Sequence, residues 1–220
     1  MTFRIQPLKG VFRPLTYQHQ LQKAESLKGY KLYIALLFLA SMLVYAISAI
    51  FGLGSESISK EIIGLGSNEY EARKELFLAG RIILGAFVAA ALIFLGALFF
   101  WSYASLPFSK LAVIQMSAFS IFLVEKLIQI PLFLFLQIDA SSNPLSFGVI
   151  AQYITDQELI ISFFSKITIF QIAMIVLTSY YLAKMAEVSR KAASMLVIGF
   201  FVFCWAVSAL FSYIKIGVFF

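Results

Sequence analysis

Long apolar stretches separated by short polar segments set the pattern of this chain. Five of these stretches reach the roughly 20 residues that a helix needs to cross the hydrocarbon core of a bilayer. We therefore predict an all-α polytopic membrane protein, built as a bundle of five transmembrane helices. The predicted spans are residues 31–52, 80–104, 111–137, 159–183 and 193–215.

The spans divide the chain into two parts. Residues 1–30 form a basic, amphipathic N-terminal segment, and residues 31–220 form the transmembrane domain. Two longer loops, at 53–79 and 138–158, are predicted on the side opposite to the N-terminal segment. TDQE at 155–158 has the spacing of a capping box, so we expect the fourth span to begin there.

Smaller patterns predict two further helices. In the N-terminal segment, apolar residues recur at helical spacing, at Tyr17, Leu21, Ala24 and Leu27. Such a helix either lies on the cytoplasmic leaflet or packs against the loops of its own protein, and the sequence leaves both open. In the second long loop, Asn143-Pro144 predicts the start of a short outer helix with Asn as its cap.

Lysine and arginine gather on one side of the predicted bundle. They precede the first span and occupy the turns after spans 2 and 4, at Arg4, Lys9, Arg13, Lys23, Lys28, Lys31, Lys110, Lys184, Arg190 and Lys191. Acidic residues outnumber basic ones in loop 53–79, and loop 138–158 contains neither Lys nor Arg. Because cytoplasmic segments carry the basic excess, we predict a cytoplasmic N-terminus and an external C-terminus.

Composition narrows the functional classes. The chain is 61% hydrophobic and 13% charged, about half the charged fraction of a soluble domain. Its net charge of +6 is concentrated beside the spans, which favours anionic lipid headgroups over nucleic acid as the partner. One cysteine and one histidine exclude an internal disulfide and a His/Cys metal centre, and we expect no cofactor.

Catalytic patterns of membrane enzymes are missing from the sequence. No predicted span contains aspartate, as a pair of catalytic aspartates would require, and the one histidine, His19, lies in the basic N-terminal segment. We therefore expect a protein that is not an enzyme.

Two ionisable residues interrupt the third predicted span, FLVEKLIQIP at 122–131. Glu125 and Lys126 point about 100° apart on a helix, so they do not satisfy one another directly. Gln129 shares the face of Glu125, and Pro131 removes a backbone donor, which indicates a kink. A kink beside these groups would make a small polar pocket.

The fourth predicted span offers partners for this glutamate. Its polar stripe consists of Ser165, Thr168, Gln171 and Thr178, and Lys166 lies at the edge of that stripe. An isolated buried anion is costly, so Glu125 either pairs or becomes neutral. We expect spans 3 and 4 to be neighbours, with Glu125 close to Lys166, or close to Lys126 through a kinked helix.

An intramembrane carboxylate allows two interpretations. It either fixes which helices pair, or it marks an ion or proton path. The first is favoured, because no second acidic residue lies in any predicted span. In span 2, Gly85 and Ala89 form a small-xxx-small pair that permits close helix packing.

Several segments resemble the YIP-domain family of five-span membrane proteins, named for interaction with Ypt/Rab GTPases. They are the entry to the first span, FRPLTYQHQLQKAESLKGYKLYIALLFLA, the turn SLPFSK at 105–110, and KMAEVSRK between the last two spans. The short N-terminal segment is similar to that of bacterial relatives, some of which resemble accessory partners of membrane transport complexes. No functional residue is implied by this resemblance.

Together these patterns predict a non-enzymatic integral membrane protein of a bacterial plasma membrane. We expect it to act as an accessory or organising component of a membrane assembly, with other membrane proteins as partners. The alternative is a small ion- or proton-coupled transporter, or a channel subunit, that uses Glu125 with Lys126 or Lys166.

Overall fold

A computed structural model describes residues 2–54, 67–186 and 188–213. These residues form a polytopic membrane helix bundle, in which four helices are long and apolar enough to cross a membrane and a fifth apolar helix is shorter. The described elements are β1 (Thr2–Arg4), α1 (Pro7–Phe12), α2 (Pro14–Gln22), β2 (Ser26–Lys28), α3 (Tyr30–Ile50), α4 (Ser67–Ala90), α5 (Gly96–Trp101), α6 (Phe108–Leu136), α7 (Gly148–Ile154), α8 (Glu158–Ser165), α9 (Ile169–Met185) and α10 (Arg190–Tyr213).

Four of the predicted spans correspond to long helices. The first, third and fifth match α3, α6 and α10, while the second lies within α4 and α5, which a π-helical turn at Ala91–Leu95 joins into one rod. Helix α4 begins at Ser67, so the last part of the predicted outer segment 53–79 is helical and continues into the second span. Residues 55–66 of that loop lie outside the described residues.

The fourth predicted span, 159–183, is not one helix. Helix α8 ends at Ser165 and α9 begins at Ile169. The chain leaves the helix between them because its backbone pairs with the preceding loop: Phe147 N–H donates to the carbonyl of Ile167 at 3.0 Å, and Ile169 N–H donates to that of Leu145 at 3.1 Å. Only α9, with 17 residues, remains as a shorter apolar helix.

The predicted helix starts around this loop are partly wrong. Asn143 accepts a hydrogen bond from Leu145 N–H at 3.0 Å, which makes a turn, and the short helix α7 starts only at Gly148. Helix α8 does begin at Glu158, but without the expected capping box. Instead, the Thr155 hydroxyl accepts from Gln157 N–H at 3.2 Å.

Helices α3 and α4 form a tightly packed antiparallel hairpin. Gly85 lies so close to α3 that an added Cβ would stand 3.0 Å from the carbonyl oxygen of Ser41. The Ser41 hydroxyl donates to the carbonyl of Gly85 at 2.7 Å, and Ala89 is fully buried one turn further on. The small residues of this pair therefore allow the two backbones to approach.

The N-terminal segment folds onto its own protein. Tyr17, Leu21 and Ala24 are buried in the core, which decides between the two placements left open by the sequence. The pattern did not indicate that β1 and β2 pair in parallel, with Phe3 opposite Leu27. This two-stranded sheet is a small departure from the expected all-α fold.

Contacts with two long helices hold that segment in place. Gly10 in α1 lies against α6, where an added Cβ would stand 2.5 Å from the Ser117 hydroxyl oxygen. Tyr181 in α9 donates its hydroxyl hydrogen to the carbonyl of Gly10 at 2.8 Å. Lys110, at the start of α6, donates to the carbonyl of Gln22 at 2.8 Å. The segment thus closes one end of the bundle, here called the N-terminal end.

Helix α6 is the centre of the bundle. Nearly every residue from Leu111 to Leu123 is buried, and α1, α3, α5 and α9 all pack against it. The helix continues through Pro131 to Leu136. This central position is why a polar residue on α6 must find its partners inside the protein.

Candidate functional site

The candidate site is built around Glu125 on the central helix α6. Its side chain is only 2% exposed. One turn further along, Gln129 donates an amide hydrogen from Nε2 to Glu125 Oε1 at 3.0 Å. This i, i+4 spacing places both side chains on one helical face, as the sequence predicted.

The break between α8 and α9 supplies the other hydrogen bonds. Thr168, the residue that caps α9, donates its hydroxyl hydrogen to Glu125 Oε1 at 2.9 Å. The same hydroxyl oxygen accepts from the backbone N–H of Gln171 at 3.2 Å. Gln171 Nε2 also lies 3.5 Å from Glu125 Oε2, a long hydrogen bond. The carboxylate therefore joins α6 to the first turn of α9.

The electrostatic setting favours a negative group at this point. The first turn of a helix carries the positive end of its dipole, which stabilises a nearby anion by about 0.3–1 kcal/mol, and more when the pair is partly buried. Lys126 adds a positive charge one step away: its Nζ donates to Gln129 Oε1 at 2.8 Å and stands 5.3 Å from the ring centre of Phe122. A chain of hydrogen bonds thus runs from Lys126 through Gln129 to Glu125.

The expected lysine contacts with Glu125 are not present as ion pairs. Within the described parts of the chain, the ion pairs closer than 4 Å are Arg73–Glu69 and Lys74–Glu71, both on the exposed start of α4. Lys166 does not pair with Glu125, because it caps the C-terminal end of α8 inside the break rather than lying on a continuous helix. Lys126 reaches Glu125 only through Gln129.

Thr168 lies on the polar stripe that was predicted to face Glu125, but its role as the cap of α9 was missed. Residues 168–171 read TIFQ, which has the Thr-x-x-Gln spacing of a capping box and could have indicated a helix start. An apolar run on both sides concealed it, since a continuous span was the simpler interpretation. The structure shows one of the two hydrogen bonds of a capping box: the Thr168 hydroxyl oxygen accepts from the backbone N–H of Gln171.

Arg81 on α4 is a second partly buried cation, and its contacts were not predicted from the sequence. Its Nη2 donates to the Ser48 hydroxyl oxygen at 3.0 Å, and its guanidinium carbon lies 5.2 Å from the ring centre of Tyr45. Both partners belong to α3, so Arg81 helps to fasten the α3–α4 hairpin.

This arrangement can hold a buried negative charge with donors from its own chain. Three side chains donate to one carboxylate, and each comes from a position fixed by helix geometry. Among the described residues, no group of three or more His, Cys, Asp or Glu side chains could bind a metal ion. The chemistry available here is charge stabilisation, together with proton or cation exchange if the donors rearrange.

No family model, no curated protein sequence and no solved structure matches this chain.

Proposed function

We propose that this protein is a non-enzymatic membrane component that organises a larger membrane assembly. The observation that carries the proposal is the use of Glu125. Its carboxylate is occupied by Gln129, Thr168 and Gln171 and cross-links two elements of the same chain. A polar group used in this way stabilises one arrangement of helices, as expected for a scaffold.

The exposed surface supports partners in the membrane. One face of α3 presents a row of leucines at alternating spacings of four and three residues: Leu32, Leu36, Leu39 and Leu43. Such a face suits lipid or the helix of another membrane protein. We place the N-terminus in the cytoplasm of a bacterial cell and count α8–α9 as the fourth of five crossings. The charge distribution and the resemblance to YIP-domain proteins support this placement.

A second function, ion- or proton-coupled transport, is favoured by one specific observation. The break between α8 and α9 lies beside an intramembrane carboxylate, and transporters bind their substrates and coupling ions at discontinuous helices of this kind. In this alternative, Glu125 would exchange a proton or cation, while Lys126 and Lys166 would tune its charge.

One substitution separates the two functions. Glu125→Gln keeps the shape of the side chain and removes the charge that its three donors share. If the carboxylate is structural, we expect a loss of stability of about 1.5–3 kcal/mol, the usual range for hydrogen bonds to a charged group. Thermal unfolding in mild detergent would show this loss, and co-purified membrane proteins should decrease with it.

The matched control is Glu71→Gln, since Glu71 is exposed on α4 and faces Lys74 at 3.9 Å. It should leave both stability and co-purified partners unchanged, because surface ion pairs contribute about 0–1 kcal/mol. Ion and proton flux would be measured in liposomes with the same variants. Flux in the parent that Glu125→Gln abolishes without loss of stability would reject the organising role and establish transport.

A further inference from the structure

A cavity of about 410 Å³ lies in the N-terminal segment, between β1, α1 and α2. Its apolar floor includes the rings of Phe3 and Tyr17, which meet edge to face with centres 5.0 Å apart. Its polar lining combines three cations, Arg4, Lys9 and Lys23, with the uncharged residues Thr2, Gln6, His19 and Gln20. The cavity therefore combines a fixed apolar wall with positively charged sides.

These positive charges have no negative counterpart inside the cavity. Among the described residues that line it, none is acidic. Arg4, Lys9 and Lys23 also form no ion pair with any described residue. Glu25 follows the lining residue Ala24 in sequence but does not itself line the cavity. Three cations that line one cavity with no described anion among its lining residues create a positive potential, which attracts a phosphate group.

The backbone under these cations is held firmly. Arg4 pairs with Lys28 in the β1–β2 sheet, and Ile5 N–H donates to the carbonyl of Lys28 at 3.2 Å. Lys9 belongs to α1, which Tyr181 fastens through the carbonyl of Gly10. The cavity is thus preformed, so that binding would require ordering of side-chain tips rather than of the chain.

Exposed apolar residues on α1 and α2 favour a lipid as the source of the phosphate. Leu8, Phe12 and Leu15, on the same two helices, are 57%, 80% and 71% exposed. Exposed apolar residues interleaved with basic ones are the composition of segments that lie in the headgroup region of a membrane. A phospholipid would place its headgroup in the cavity and its acyl chains beside these side chains, whereas a soluble phosphate compound would leave them uncovered.

We propose that this cavity is a binding site for the phosphate headgroup of an anionic phospholipid. The site does not depend on the organising function proposed above. It differs from general attraction to a charged membrane surface, because only three of the basic residues at the N-terminal end form it. Those three should therefore contribute more to lipid binding than equally charged neighbours.

The experiment uses the purified full-length protein in a neutral detergent. Short-chain phosphatidylglycerol, short-chain phosphatidylcholine and glycerol phosphate would each be titrated, with binding followed by thermophoresis. One variant carries Arg4→Gln, Lys9→Gln and Lys23→Gln. The control carries Arg13→Gln, Lys28→Gln and Lys31→Gln, which remove the same charge from the same end outside the cavity lining. Thermal unfolding would show that both variants fold.

We expect the parent to prefer phosphatidylglycerol over phosphatidylcholine and over glycerol phosphate. The cavity variant should bind phosphatidylglycerol at least about 10-fold more weakly, since each cation near a membrane surface contributes roughly fivefold, whereas the control should stay within about 3-fold. Equal weakening in both variants, or none in either, would overturn the site. Equally tight binding of glycerol phosphate would overturn the proposal that the ligand is a phospholipid and would indicate a soluble phosphate compound.

Discussion

At the scale of single residues, Gly10 is where the N-terminal segment comes closest to the bundle. An added Cβ would meet the Ser117 hydroxyl oxygen at 2.5 Å and the Tyr17 ring at 3.1 Å. Because Ser117 Cβ also stands at 3.1 Å and both neighbours are buried, we expect Gly10→Ala to lower the free energy of unfolding by about 1–3 kcal/mol, as overpacking usually does. Thermal unfolding of the purified variant in detergent would measure it.

The control for this substitution should change stability in the opposite direction. Gly199 lies inside α10 with nothing within 4 Å of an added Cβ. There, Gly199→Ala should stabilise by about 0.5–1 kcal/mol, since alanine is the better helix former. A stabilising Gly10→Ala would mean that α1 does not pack against α6 in solution.

Tyr17 gives a second prediction at this scale, on pH. Burial raises the pKa of its phenol from the usual value near 10 to about 12. Between these values the folded protein binds more protons than the unfolded chain, so stability falls as pH rises. The contribution is complete below pH 10 and is lost towards pH 12. Chemical denaturation at successive pH values should show this fall in the parent and a smaller one in Tyr17→Phe.

Contacts between residues close together in the sequence could be predicted, whereas contacts between distant residues could not. The four-residue interval between Glu125 and Gln129 was enough to place both on one face, and their hydrogen bond follows from it. The contact of Glu125 with Thr168 joins residues 43 positions apart and depends on where α9 begins. The spacing of residues along one helix carries no information on where a different helix begins.

At the scale of elements, the start of α9 depends on one hydroxyl. Thr168 both caps the helix and donates to Glu125. Thr168→Val keeps the shape of the side chain and loses both interactions, so we expect a loss of stability of about 2–5 kcal/mol, the sum of the ranges for a helix cap and for a hydrogen bond to a charged group. Thermal unfolding would measure it, with Thr168→Ser as the control that retains the hydroxyl. Equal stability of the two variants would contradict this role.

The broken helix also shows why apolar pattern alone overestimates helix length. The stretch from Ser165 to Thr168 contains neither Gly nor Pro, so the capping spacing of Thr168 and Gln171 is its one local signal. The end is imposed by backbone hydrogen bonds with Leu145 and Phe147, which lie about twenty residues earlier in the chain. Long, strongly apolar helices such as α3 and α6 were predicted because their length and composition suffice.

At the scale of the whole molecule, the proposed orientation can be tested by labelling. After Cys204→Ala, single cysteines would be introduced by Gln152→Cys in α7 and by Ser105→Cys in the turn between α5 and α6, both at exposed positions. On intact cells, a membrane-impermeant maleimide should label Gln152→Cys and spare Ser105→Cys until the membrane is opened. The reverse result would place the N-terminus outside.

The sequence described the membrane part of the molecule better than its ends. Alternating apolar and polar segments were sufficient for the helix bundle, because bilayer thickness fixes the length of a crossing helix. The packing of residues 2–28 onto α6 and α9 was only one of two open interpretations, since an amphipathic helix can bury its apolar face on lipid or on protein. The distant residues Ser117 and Tyr181, which receive this segment, decide it.

The hydrogen bond between Gly10 and Tyr181 has a consequence for the order of assembly during synthesis. Its two residues are 171 positions apart, so α1 lacks this partner until α9 has been made. Helices α3 and α4 can pair in the membrane well before that. Helix α1 therefore reaches this contact only after α9 has joined the bundle, and its docking reports that this late helix is in place.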